Sequence, residues 1–183
     1  MMEYLKETQM LDYSHPNIQK LIYDKQWKQM NEFNRILSIY NYVRDEILFG
    51  YNSDDSIPAS TVLADGYGQC NTKGTLFMAL LRACDIPCRI HGFTIDKKLQ
   101  RGAMTGIVYH SAPKNIFHSW VEVCLENRWY ELEGFILDKA YLKQLQNRFT
   151  KCTGPFCGYG TAVKNFKHPI IDFNRNNTYI QSE

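Results

Sequence analysis

Residues 66–90 read GYGQCNTKGTLFMALLRACDIPCRI. From Cys70 onward, Thr75, Leu76, Ala79, Leu80 and Ala83 fall at helical spacing. Small and apolar residues dominate the run, so this helix is expected to be buried. Asp85 and Pro87 end it. Cys70 therefore opens a core helix directly after the turn Gly66-Tyr67-Gly68-Gln69. A thiol there feels the positive end of the helix dipole, which favours the nucleophilic thiolate. The glycines let the backbone approach a substrate closely. The free N–H groups of the first turn can face a developing oxyanion. A cysteine opening a helix is more often structural than catalytic, so Cys70 needs company to count.

Downstream, Cys88 to Ile95 alternates as a strand, with Cys88, Ile90, Gly92 and Thr94 on one face. Arg89, His91, Phe93 and Ile95 take the other. Phe117 to Leu125 and Arg128 to Glu133 read as a strand pair around Glu126-Asn127. Alternation puts His118, Trp120 and Glu122 on one face. With a two-residue turn, Leu125 pairs with Arg128 and Trp120 with Glu133, which leaves His118 diagonal to Glu133 at about 7–8 Å along the backbone. A turn one residue longer reverses that parity unless a bulge restores it. Taken singly, His118 reads as a packed core residue and Glu133 as a surface carboxylate at a strand end. Together they offer a base and the group that orients it.

Upstream, Pro16 opens one helix, and Phe33, Ile36, Leu37, Tyr40, Val43 and Ile47 mark a second that ends before Gly50. Residues 51–68 form a loop with a short helix at 58–64. The stretch Asp96 to Asn115 reads as a long loop, with an extended piece at Gly106 to Tyr109, placed to cover the cleft or to be inert. Its Lys97, Lys98 and Arg101 are available to an acidic substrate group, though a solvated face is the preferred reading of three charges. His110 competes with His118 as the base but has no strand to fix it. A helix follows at Lys139 to Arg148, and the tail reads as loops with one or two short strands. Helices followed by strands indicate an α+β fold, an antiparallel sheet packed on one side by helices.

The bulk composition excludes several classes. A chain of 183 residues fits one domain over 1–183, with N-terminal helices at 16–49, a core at about 51–138, and a C-terminal helix and loops at 139–183. A net charge of +2 without like-charge runs argues against nucleic acid and anionic membranes. With no signal-type apolar lead and no apolar run near 18 residues, the expectation is a cytoplasmic chain that spans no membrane. Six cysteines in such a chain are expected to be free thiols. Neither Cys84/Cys88 nor Cys152/Cys157 has the partner pair a structural zinc needs, so no metal is expected. Cys152 and Cys157 read as two unrelated surface thiols rather than a redox pair. Nothing in the sequence sets the oligomeric state.

Three segments together resemble the transglutaminase-like superfamily. GYGQC and the helix after it are similar to that family's nucleophile segment, with Cys84-Asp85-Ile86-Pro87 in place of the usual Gly-Ile-Pro-like stop. HSWVEV is similar to its His-x-Trp-x-Glu strand, and RWYELEG to the next strand, which carries the acid. SIYNYVRDEILFGYN resembles the helix before the catalytic loop. The resemblance runs from about Asn31 to about Asp138, with the motifs in family order. It implies a transglutaminase-like, papain-like cysteine proteinase fold with Cys70 as nucleophile, His118 as base and Glu133 as acid. The family usually has Asp at that last position, and Asp138 is a nearby alternative. Gln69 and Trp120 are further candidates for oxyanion or substrate contacts. The implied activity is hydrolysis of a peptide or amide bond through a thioester. Acyl transfer to an amine (transglutaminase or deamidase activity) and an inactive binding module are the alternatives. The expected partner is a peptide or protein substrate. No cofactor is expected: some animal relatives use calcium, but no acidic loop of EF-hand type is present.

Overall fold

The computed structural model describes residues 2–103 and 106–183. In chain order its elements are α1 (Pro16–Lys25), α2 (Glu32–Asp45), β1 (Leu48–Phe49), α3 (Ala59–Asp65), β2 (Tyr67–Gly68), α4 (Cys70–Ala83), β3 (Cys88–Asp96), α5 (Gly106–Ser111), β4 (Asn115–Leu125), β5 (Arg128–Leu132), α6 (Lys139–Arg148), β6 (Phe156–Gly158) and β7 (Thr161–Val163). The fold is α+β. An antiparallel sheet of order β3-β4-β5 carries α4 on one face, and α2 and α3 pack against α4 in turn.

Helix α4 is the centre of the core. Residues 72–81 are all buried, as an all-round apolar helix must be. Each fully buried Leu or Phe there contributes roughly 1.5–3 kcal/mol. The face of the sheet against α4 supplies Val121, Val123 and Leu132, none of them exposed. The one charged residue within the buried stretch 72–81 is Lys73. Its ammonium donates to the carbonyls of Arg44 (3.2 Å) and Ile47 (2.7 Å), which satisfies the end of α2. Burial pulls its pKa down to about 7, against the opposing pull of Asp138 and Asp45.

The strand pairing follows from the turn. Glu126 and Asn127 both have positive φ (52° and 62°), the conformation of a tight two-residue hairpin whose twist matches the strands. Leu125 pairs with Arg128 and Val121 with Leu132, so the register is the one the two-residue turn dictates. Across the other edge, Phe93 faces His118 and His91 faces Trp120.

The expectation for residues 96–115 needs correcting. This stretch is not a structureless loop: β3 runs through Asp96, a 3₁₀ turn spans Lys97–Gln100, and Gly106–Ser111 is the helix α5 rather than an extended piece. Residues 104 and 105 of the expected lid lie outside the described residues. Lys97 holds the segment together, since its ammonium donates to the carbonyls of Tyr109 (3.0 Å) and Ala112 (2.6 Å). Tertiary bonding, with no long apolar period to announce it, ordered this stretch.

The tail also does more than its sequence indicates. Residues 170–183 run beside β5, with Thr178 N–H donating to Glu131 O and Glu133 N–H to Thr178 O, both at 2.9 Å. The buried Arg44 guanidinium fastens the same segment to α2 through Asp172 (2.9 Å) and the Ile171 carbonyl (3.2 Å). The hairpin β6–β7 joins it, Ala162 N–H donating to Ile180 O at 2.9 Å.

Candidate active site

Two glycines deliver Cys70 to its position. Gly66 ends α3 in the left-handed region (φ 71°), where its N–H bonds Val62 O at 3.1 Å. At Gly68 a Cβ atom would stand 2.6 Å from Thr72 Oγ1 and 3.0 Å from Lys73 Cγ, because the helix turns back over it at once. A short parallel ladder, Leu48 to Tyr67 and Phe49 to Gly68, pins the turn. Thr72 then closes the helix start: its hydroxyl oxygen accepts from Gln69 N–H (3.0 Å), and the hydroxyl donates to Asn52 (2.7 Å). Cys70 is the first residue of α4 and is half-buried.

His118 and Glu133 meet beside it. His118 Nε2 lies 2.5 Å from Glu133 Oε1, both side chains essentially without exposure. Nδ1 is the ring nitrogen left for Cys70, whose sulfur lines the same cleft and lies 3.8 Å from Asn71 Oδ1. Burial pulls the imidazole pKa down, but the hydrogen bonds and charges of Cys70 and Glu133 outweigh it and raise the pKa to about 9. Phe93 stands edge-on to the ring at 5.1 Å and fixes its plane. The structure therefore brings Cys70, His118 and Glu133 into one row.

What holds Glu133 was invisible in the sequence. Its Oε2 accepts from the backbone N–H of Ile180 (2.7 Å) and Gln181 (2.8 Å) and from the Ser182 hydroxyl (3.0 Å). Backbone donors have no sequence signature, and only the hydroxyl of Ser182 offered a hint. The carboxylate of Glu133 thus bridges from the tail's amides through Oε2 to the imidazole through Oε1. Asp138, the alternative acid, is engaged elsewhere: it caps α6 through Tyr141 N–H (2.7 Å) and accepts from Phe49 N–H (2.9 Å).

The remaining candidates separate cleanly. Gln69 lines the cleft with Cys70 and His118, and its Nε2 donates to Asp55. Trp120 stands apart from this cleft. It stacks on His91 at 4.9 Å and lines a different depression with Tyr179 and Ser182. His110 sits on α5, lining a separate cavity with Lys98, Arg101, Tyr109 and Cys157, away from Cys70. Asn71 was not singled out by sequence, yet its amide ties three parts of the site together. Its Oδ1 accepts from Ser119 Oγ (2.8 Å), and its Nδ2 donates to Asp55 (2.7 Å). Among the described residues no group of three His, Cys, Asp or Glu side chains could hold a metal ion, and no helix is long and apolar enough to cross a membrane. All six cysteines are free.

Comparison with known proteins bears on the family and the fold. The model of the transglutaminase-like superfamily matches residues 20–134, more than half of the chain. No curated protein matches. Among solved structures, the chain is similar to a proposed cysteine protease from Cytophaga hutchinsonii, with a TM-score of 0.56 and 20% identity over 76% of this chain and 43% of that one. A second likeness is to the periplasmic domain of TgpA from Pseudomonas aeruginosa bound to ethylmercury, with a TM-score of 0.47 and 13% identity over 72% of this chain and 47% of that one. The chain thus spans less than half the length of either.

Proposed function

This chain belongs to the transglutaminase-like superfamily, and from that premise we propose that it is a cysteine-nucleophile hydrolase that cleaves a peptide or amide bond through a thioester on Cys70. The observation that carries this reading is the buried contact of His118 Nε2 with Glu133 Oε1, made beside Cys70 in the same cleft. Cys70 gives its proton to His118 and its Sγ attacks the carbonyl carbon, so that a C–S bond forms as the carbonyl π pair moves to oxygen. The N–H of Cys70, at the first turn of α4, is one donor to that oxyanion, and the hydrogen of Gln69 Nε2 not given to Asp55 is assigned as a second. His118, protonated at neutral pH, gives its proton to the leaving nitrogen, and the amine departs. His118 then takes a proton from water as the water attacks the thioester, and the acid leaves with the thiolate restored. Glu133 keeps the imidazole in the tautomer and orientation both steps require.

Selective alkylation tests the nucleophile. Cys152 is half-buried and Cys157 exposed, so both serve as internal references. At pH 6 iodoacetamide is expected to label Cys70 at least tenfold faster than either. Equal, slow labelling of all three removes the enzymatic reading and leaves a binding module. A peptide library offered together with a labelled primary amine then separates the chemistries. Cleaved peptides without amine incorporation support hydrolysis, and incorporation without cleavage supports acyl transfer.

A further inference from the structure

The cleft before Cys70, about 340 Å³, has an uneven lining. Phe49 and Tyr51 form one wall, their rings 5.6 Å apart. Ile95 and Ile116, paired across β3 and β4, join Leu99 and Phe117 in the other. Among its described lining residues no lysine or arginine occurs, and Asp55 is the one carboxylate. The three nearby cations read from the sequence all turn elsewhere. Lys97 is bound to carbonyls of the α5 segment, while Lys98 and Arg101 line a separate cavity. Phe117 is the feature that stands out. It lies at the cleft yet is 61% exposed, with its ring laid over Gly92, where a Cβ would be 2.7 Å from Cζ. A large apolar ring left uncovered at the rim of a cleft gains from being covered by an apolar ligand.

We propose, building on Cys70 as the nucleophile, that the cleft takes acyl donors with an apolar or aromatic side chain beside the reacting carbonyl and disfavours acidic ones, with Phe117 determining that specificity. A carboxylate entering here loses its hydration and faces Asp55 and the Cys70 sulfur, while the one cation beside it, the His118 imidazolium, is already paired with Glu133. An aromatic side chain meets ring and aliphatic carbon on both walls. Hydrophobic pockets discriminate by roughly 10–200-fold per group, so a preference of at least about tenfold is expected.

Three tripeptide vinyl sulfones, identical except for Phe, Gln or Glu beside the warhead, test this on the full chain. Cys70 Sγ adds to the β-carbon of the vinyl group, the α-carbon takes a proton, and no group leaves, so intact mass reports the rate directly. The Phe probe is expected to label Cys70 at least about tenfold faster than the Glu probe, with Gln between them. In Phe117→Lys that ratio should fall to about threefold or less, and Phe117→Ala should slow the Phe probe. Thermal melts of both variants check that they fold. A Glu or Gln probe as fast as the Phe probe overturns the preference, and a ratio unmoved by both substitutions overturns the role of Phe117. Iodoacetamide carries no side chain to be recognised and so separates the two failures. Fast Cys70 alkylation with equal probe rates sinks only this specificity, whereas Cys70 alkylation no faster than that of Cys157 removes the nucleophile beneath it.

Discussion

His118 with Glu133 and His91 with Glu122 are two histidine–glutamate pairs on one face of one sheet, separated by the ring of Trp120. In the first pair the atoms are 2.5 Å apart and the side chains are 2% and 0% exposed. In the second they are 3.0 Å apart, and His91 is 51% exposed. The first carboxylate is fastened from behind by two backbone amides and a hydroxyl. The second is shared with Arg89, and although burial pulls Glu122 upward, Arg89 and His91 hold its carboxyl below the ordinary range. Arg89 in turn lies over the Trp129 ring at 4.3 Å. The outer pair is thus an arginine-clamped surface cluster, while the inner pair is dry and aimed at a thiol. Contact between imidazole and carboxylate does not make a site; exclusion of water and a reactive neighbour do.

Substitutions can break that contrast, beginning with the thiol. Cys70→Ala is expected to abolish turnover while the fold survives, since the residue is half-buried at a helix start; peptide cleavage and a thermal melt check both. Glu133→Gln should lower kcat/KM by about 10²–10⁴-fold, the usual weight of acid–base catalysis. Its amide also presents a donor to Nε2, which favours the wrong tautomer. The pH profile sharpens this. Activity of the natural chain should fall through an alkaline limb near pH 9, where His118 loses its proton, and in Glu133→Gln that limb should move down towards 6.5. An unmoved limb assigns it to another group.

Stability should carry the same mark. Folded His118 binds its proton more tightly than the unfolded chain does, so its stabilisation is complete below pH 6.5 and lost as pH rises through about 9. Denaturant midpoints across that window should decline in the natural chain and less so in Glu133→Gln. Ser182→Ala removes one of three donors to Glu133 and leaves both amides, so a loss of roughly 1 kcal/mol in stability and a several-fold loss in rate are expected. Glu122→Gln is the smallest. Its partners are partly exposed, so stability should change by about 1 kcal/mol or less, with activity within about twofold by the same reasoning. A large loss of rate from Glu122→Gln erases the distinction between the pairs.

The parts that could be read from the sequence are those whose physics is local. Helix α4 announced itself through its apolar run, the Gly turn before it and Pro87 after it. The register of β4 with β5 followed from a two-residue turn, and that register carried His118 to Glu133. What escaped depends on distant backbone. The amides of Ile180 and Gln181 carry no side-chain signal, and the segment at 96–115 is ordered by Lys97 meeting carbonyls a dozen residues on. The role of Asn71 was hidden for a related reason: an amide beside a nucleophile looks like any polar helix residue until Ser119 and Asp55 are placed around it. Trp120 marks a limit of such reading, since it lines a different depression from Cys70. Its alternation with His118 was read correctly, yet a shared strand face does not imply a shared cavity.

The fastening of Glu133 by residues 180–182 also has a consequence for biosynthesis. Cys70, His118 and Glu133 leave the ribosome well before the three donors that orient the acid. Until residues 180–182 clear the exit tunnel, Oε2 has neither of its two amides and the imidazole lacks a fixed counterpart. A chain made only as far as Glu133 therefore holds all three members of the row without the donors that orient its acid.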